Sequence, residues 1–155
     1  MSNENNVVEF FPVWKQALKN YVDSNPQPGS VVTKKWLMDQ FRIAEPVTAS
    51  DLHEANLEFL QNFSRFKDEL LQDYLIALRA NHDGGYEVVP PNQQTRMAIE
   101  VGIKEIRRSY NKMHLTAACV NKDALTEAER TENTDGLAKI AAMRAMVSRR
   151  KLLGR

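Results

Sequence analysis

A Gly-Gly pair followed closely by two prolines constrains this chain more than any other feature. The stretch reads Arg79-Ala80-Asn81-His82-Asp83-Gly84-Gly85-Tyr86-Glu87-Val88-Val89-Pro90-Pro91. Asp83, Gly84 and Gly85 supply the positive-φ positions that a tight β-hairpin turn needs. Tyr74-Leu75-Ile76-Ala77-Leu78 before the turn and Tyr86-Glu87-Val88-Val89 after it are rich in aromatic and branched residues, as strands are. Pro90 and Pro91 end the sheet, because neither can donate a ladder hydrogen bond. The rest of the chain reads as helical.

Residues 1–7 read as a disordered N-terminal tail. Phe10, Trp14, Ala17, Leu18 and Tyr21 recur at spacings of three and four, which predicts a helix to about Tyr21 with Pro12 in its first turn. Asp23 to Gly29 is a loop by composition, and Ser30-Val31-Val32 is a short β-prone piece. Thr33 is the expected N-cap of a helix over Lys34 to Arg42, with Trp36, Leu37 and Phe41 facing inward. Ser50 is the expected cap of the next helix. There Leu52, Ala55, Phe59, Phe63, Phe66 and Leu70 keep the helical rhythm without a Gly or Pro.

This order of helix, short strand, helix, turn, helix and hairpin resembles a winged helix-turn-helix domain. Gly84-Gly85-Tyr86-Glu87-Val88-Val89 looks like the Gly-x-Gly-Tyr turn of winged-helix transcription factors, and the resemblance covers about residues 8–91. Residues Gly84 to Thr95, with the basic helices after them, also resemble small bacteriophage and prophage proteins. The expected fold class is therefore mainly α with a small antiparallel β-hairpin. A winged-helix-like domain over 8–91 would precede a basic C-terminal helical region over 92–155.

In that region a helix is expected over Arg96 to Lys112, with Met97, Val101, Ile106, Tyr110 and Met113 roughly on one side. Lys104, Arg108 and Lys112 recur every four residues, and Arg107 stands beside them, so they form a basic stripe. Leu115 to Val120 reads equally as a helix end or a strand. Thr126-Glu127-Ala128-Glu129 opens the last helix with a capping-box pattern. Thr134-Asp135-Gly136 is a candidate interruption. Arg149-Arg150-Lys151 closes the helix, where cations also suit the helix dipole.

The net charge of +1 conceals an asymmetry. Residues 1–95 hold 8 Lys/Arg against 13 Asp/Glu, and residues 96–155 hold 13 against 7. Such a chain either binds a polyanion through its C-terminal part or balances its own halves. No apolar run approaches the roughly 18–20 residues that span a bilayer. Met1 to Asn6 is polar and acidic, unlike a signal or transit peptide. The one cysteine, Cys119 in Ala117-Ala118-Cys119-Val120, fits a cytoplasmic setting and reads as a small buried residue.

The motifs of catalysis are missing. His53-Glu54 lacks the second histidine of a zinc-protease helix, since Leu57 stands in its place. His53, His82 and His114 lie far apart without Cys or carboxylate at metal spacing. Gly84-Gly85 lacks a following Lys-Ser/Thr and opens a strand instead of a helix, so it is not a phosphate loop. Asp83 and Glu87 lack a nuclease lysine two residues on. No enzyme, metal or cofactor is expected.

Double-stranded DNA is the leading partner. A recognition helix reads DNA by its N-terminal residues, but here these would be Asp51, His53, Glu54 and Glu58. Three carboxylates oppose binding to phosphates. The expected contacts are instead Lys34, Lys35, Arg65 and Lys67, with Arg79, Asn81 and His82 on the wing. Lys104, Arg107, Arg108, Lys112, Arg149, Arg150 and Lys151 would add the C-terminal contribution. The rival reading is a protein-binding module that docks on and inhibits a host enzyme or defence complex. The long stripe from Leu52 to Leu70 and the C-terminal helices also predict a homodimer.

Overall fold

The structure, a computed structural model, describes residues 11–147. The expected tail and the cluster Arg149-Arg150-Lys151 lie outside the described residues. The chain is mainly α-helical with one small antiparallel sheet, and it divides into two compact units at Pro91 and Asn92.

The first unit is built around a long central helix. Helix α1 spans Val13–Asp23 and buries Ala17, Leu18 and Tyr21; Pro12 is its N-cap. Strand β1 (Val31–Thr33) leads directly into α2 (Lys34–Gln40), where the Thr33 hydroxyl accepts the Trp36 N–H at 3.1 Å. Helix α3 runs over Ala49–Tyr74, so the apolar period of the sequence is one unbroken element. Thr48, not Ser50, is its N-cap. The Thr48 hydroxyl accepts the Asp51 N–H, and the Asp51 carboxylate accepts the Thr48 N–H. Ser50 lies inside the first turn, where its side chain has no free N–H ahead of it to cap.

The hairpin pairs β2 (Leu78–Ala80) with β3 (Gly85–Val88), and β1 pairs antiparallel on the other side of β3, giving the order β1-β3-β2. The strand before the turn is thus shorter and later than Tyr74 to Leu78. Phe66 and Leu70, both fully buried, hold α3 in its helical period as far as Tyr74. Leu75 then stops the helix in the left-handed region at φ 59°, and Ile76 N–H reaches back to the Leu70 carbonyl. Composition that looks strand-like has been taken over by tertiary packing.

The core joins α1, α2, α3 and the sheet. Phe66 lies against the rings of Tyr21, Phe41 and Phe63, with centroids 5.8, 6.0 and 6.3 Å away. Phe63 also packs on Tyr86 of β3 at 4.1 Å, which seats the hairpin on the central helix. Removing a buried aromatic of this kind costs about 3–5 kcal/mol. Leu52, at the start of the expected stripe, is instead half exposed, because α3 begins beyond the edge of the core.

The second unit holds α4 (Pro91–Ala118), a short 3-10 turn at Lys122–Ala124 and α5 (Glu127–Met146). Pro91 therefore does more than end the sheet. It is the first residue of α4, where a missing N–H is harmless and φ is already helical. Leu115 is helical, and Gly136 does not interrupt α5. The turn is tied by Asn133 Nδ2 donating to the Ala117 carbonyl at 2.8 Å and Arg130 Nε donating to the Lys122 carbonyl at 3.0 Å. On α4 only Ile103 is buried, while Val101, Ile106 and Met113 are exposed. The expected one-sided apolar face is therefore not a core. Cys119, expected to be buried, is exposed too, since it lies in the turn just past the end of α4.

Candidate nucleic-acid interface

The loop of the β2–β3 hairpin takes its shape from Asn81. Its Oδ1 accepts the N–H groups of Asp83 at 3.2 Å and Gly85 at 2.8 Å, which closes the four-residue loop between β2 and β3. Gly84 has φ 77° with open space around its Cα, so it is needed for conformation. Gly85 does not adopt positive φ, contrary to the sequence expectation. Its role is close approach. A Cβ there would come within 2.9 Å of the Val32 carbonyl oxygen and 3.0 Å of Val31 Cγ1.

Several expected contacts in the first unit are already occupied. Arg79 Nη2 lies 3.1 Å from the Glu87 carboxylate across the β2–β3 pair. Asn81 spends its acceptor on the loop. Lys34 Nζ sits 5.1 Å above the Phe59 ring, a favourable cation–π arrangement. Arg65 lines a groove of about 380 Å³ with Trp14, Asp68, Glu69, Gln72 and Asp73, where three carboxylates compete with any phosphate. Lys35, Lys67 and His82 are exposed. The acidic start of α3 is partly explained by structure. Hydrogen bonds from Thr48 hold the Asp51 carboxyl below its ordinary pKa, as expected of a helix N-terminal cap.

The second unit is different. Lys104, Arg107, Arg108 and Lys112 are exposed on α4, and none makes an ion pair among the described residues. From Lys104 to Lys112 the helix rises about 12 Å, so the four cations form a continuous stripe. Three of them, with Glu100, Ile103 and Asn111, line an open groove of about 390 Å³. Asn111 escaped the sequence reading. It lies four residues after Arg107 and seven after Lys104, a spacing that places it on the same side. Its amide can donate to a phosphate oxygen as well as accept. Glu100 lines the same groove but pairs with Arg96 at 3.3 Å, and among the described residues it forms no ion pair with the four cations of the stripe. Among the described residues there is no group of three side chains able to hold a metal ion, and no helix long and apolar enough to cross a membrane.

Geometry thus divides the expected contacts into a β2–β3 hairpin whose polar groups largely stabilise the hairpin, and an α4 stripe whose charges have no ion-pair partner among the described residues. Compared with protein-family models, curated proteins and solved structures, the chain matches none, and its functional reading rests on this geometry.

Proposed function

We propose that this protein is a non-enzymatic, homodimeric DNA-binding protein that grips the phosphate backbone chiefly through α4. The observation that carries the reading is the stripe of Lys104, Arg107, Arg108 and Lys112, exposed and without carboxylate partners among the described residues. Each phosphate that such a stripe neutralises releases condensed counterion, which is the main source of affinity for duplex DNA. The order α1-β1-α2-α3-β2-β3, with the sheet arranged β1-β3-β2, supports a winged helix-turn-helix with β2–β3 as the wing. A regulator of transcription or replication encoded by a phage or mobile element, working in the bacterial cytoplasm, suits a chain of this size and order. Phosphate contacts position a protein without reading bases, so sequence discrimination by this surface is low.

Duplex binding measured by fluorescence anisotropy across a salt series tests the reading. Wild-type affinity should fall steeply with salt. Arg107→Ala/Arg108→Ala should weaken binding to every sequence and flatten the log–log salt slope by about 2, at roughly 0.9 for each phosphate no longer neutralised. Wild-type protein that binds no duplex at low salt refutes the proposal. A second reading, docking on a host protein, is favoured by Asp51, Glu54 and Glu58 at the start of α3. A partner recovered from host lysate after nuclease treatment, and held at high salt, would decide for it.

A further inference from the structure

The cations of α4 are spread round the helix as well as along it. At about 100° per residue, with Lys104 as origin, Arg108 stands at about +40°, Lys112 at about +80°, Asn111 at about −20° and Arg107 at about −60°. All five are exposed. Arg107 and Lys112 diverge by about 140°, which at the roughly 5–6 Å radius of a helix with its side chains sets them about 10 Å apart across the axis. Two cations that point away from each other over this distance do not rest on one row of phosphates. They meet two rows when the helix lies between them. The major groove of B-DNA, about 12 Å wide, admits an α-helix in this way.

The remainder of α4 leaves this arc open. Its buried and half-buried residues Ile99, Ile103, Tyr110 and Ala117 gather between about −100° and −140°. There the Ala117 carbonyl accepts from Asn133 of α5, so α5 lies on the side away from the arc. Carboxylates border the arc. Glu105 stands beyond Lys112 at about +100°, and Glu100 lies one turn ahead of Lys104, paired with Arg96. The start of α3 is less suited to the groove, because Asp51, Glu54 and Glu58 are repelled by phosphates.

We propose that α4, and not α3, is the helix that enters the major groove, and that Asn111 reads an adenine there. Between the walls met by Arg107 and Lys112, Arg108 and Asn111 stand to either side of the middle line. Arg108 has the reach to turn back to a wall phosphate, whereas the short amide of Asn111 stays over the floor. Asn111 is uncharged, so electrostatic grip does not account for it. Its side chain has no hydrogen-bond partner among the described residues. The amide carries a donor beside an acceptor, the pattern that matches adenine N7 and N6–H2 in the major groove. Discrimination is then confined to about one base pair, and the phosphates supply most of the affinity.

This inference rests on the duplex-binding reading above, and the experiment separates the two. The full chain is used to select from DNA duplexes with a randomised central stretch. Wild type should enrich adenine at one position, with a preference of about tenfold over the other bases. Asn111→Ala should lose that preference and keep both the salt slope and the circular dichroism of the wild type, since alanine favours a helix and no phosphate contact is removed. Replacing the selected adenine by 7-deazaadenine, which lacks N7, should lower wild-type affinity to that of the variant and leave the variant unchanged. An RNA duplex, whose major groove is too deep and narrow for a helix, should bind about tenfold more weakly or worse. No duplex binding at low salt overturns this inference together with the reading beneath it. Duplex binding without an enriched adenine, enrichment that survives Asn111→Ala, or RNA duplex bound as tightly as DNA overturns the inference alone.

Discussion

Gly85 is the position where the fold can be tested most sharply. It is buried in β3, directly opposite Thr33 of β1. Its φ is compatible with any residue, so alanine there suffers no conformational penalty. The obstacle is space. A Cβ would stand 2.9 Å from the Val32 carbonyl oxygen, where ordinary contact begins near 3.4 Å, so β1 must give way by about half an ångström. That oxygen belongs to backbone in the middle of a paired strand and has little freedom to move. Overpacking of this kind costs about 1–3 kcal/mol. The alanine stiffens the unfolded chain and returns about 0.4–1 kcal/mol. The expected net loss for Gly85→Ala is about 1–2 kcal/mol, or roughly 4–16 °C in melting temperature for a unit of this size.

Gly84 is the control. It has φ 77°, and a Cβ added there would meet nothing within 4 Å, so asparagine, which tolerates the left-handed region, should be accepted with little loss. At Gly85 asparagine should be worse than alanine. Both tryptophans, Trp14 and Trp36, are in the first unit and pack on its core. Thermal denaturation followed by tryptophan fluorescence therefore reports on the unit that carries the hairpin. If Gly85→Ala melts with the wild type, β1 does not lie against β3 at this point and the sheet order is wrong.

Other outcomes follow from single features. The Tyr21 hydroxyl is buried, which pushes its pKa up; Ser30 is close enough to oppose that shift, yet no hydrogen bond of normal geometry forms. Tyr21→Phe should therefore raise stability by up to about 1 kcal/mol, read as a higher melting temperature, and a clear loss would reveal a hydrogen bond to Ser30. Asp51 and Glu129 are both held below the ordinary carboxylate range by hydrogen bonds from their capping threonines, Thr48 and Thr126. The unfolded chain takes up these protons first, so the caps contribute fully above the ordinary range and fade as pH falls through the depressed values. Helicity by circular dichroism should decline on the acid side, and Thr48→Ala/Thr126→Ala should show a shallower decline. Cys119 is exposed, so a thiol reagent should titrate one group per native chain without denaturant; protection until unfolding would show it buried.

Local chemistry sufficed for several caps, one helical period and one turn. Thr33 caps α2 because a hydroxyl one residue before a helix finds a free N–H whatever surrounds it. Thr126 and Glu129 form their capping box for the same short-range reason. The period of Ala55, Phe59, Phe63, Phe66 and Leu70 identified α3 and its core face, since a stripe that regular has one way to be buried. The turn around Gly84 was legible because few residues tolerate its backbone conformation. Contacts distant in sequence decided the rest. Tyr74 to Ala77 has strand-like composition, yet Phe66 and Leu70 lock the preceding turns into the core and carry the helix through Tyr74. Gly85 is glycine because β1 crosses beside it, more than fifty residues away in the chain. Arg79 and Arg107 are the same letter in the sequence. Only the fold sets Glu87 across from the first and leaves the second without a carboxylate partner among the described residues, because pairing of charges depends on which elements become neighbours and not on composition.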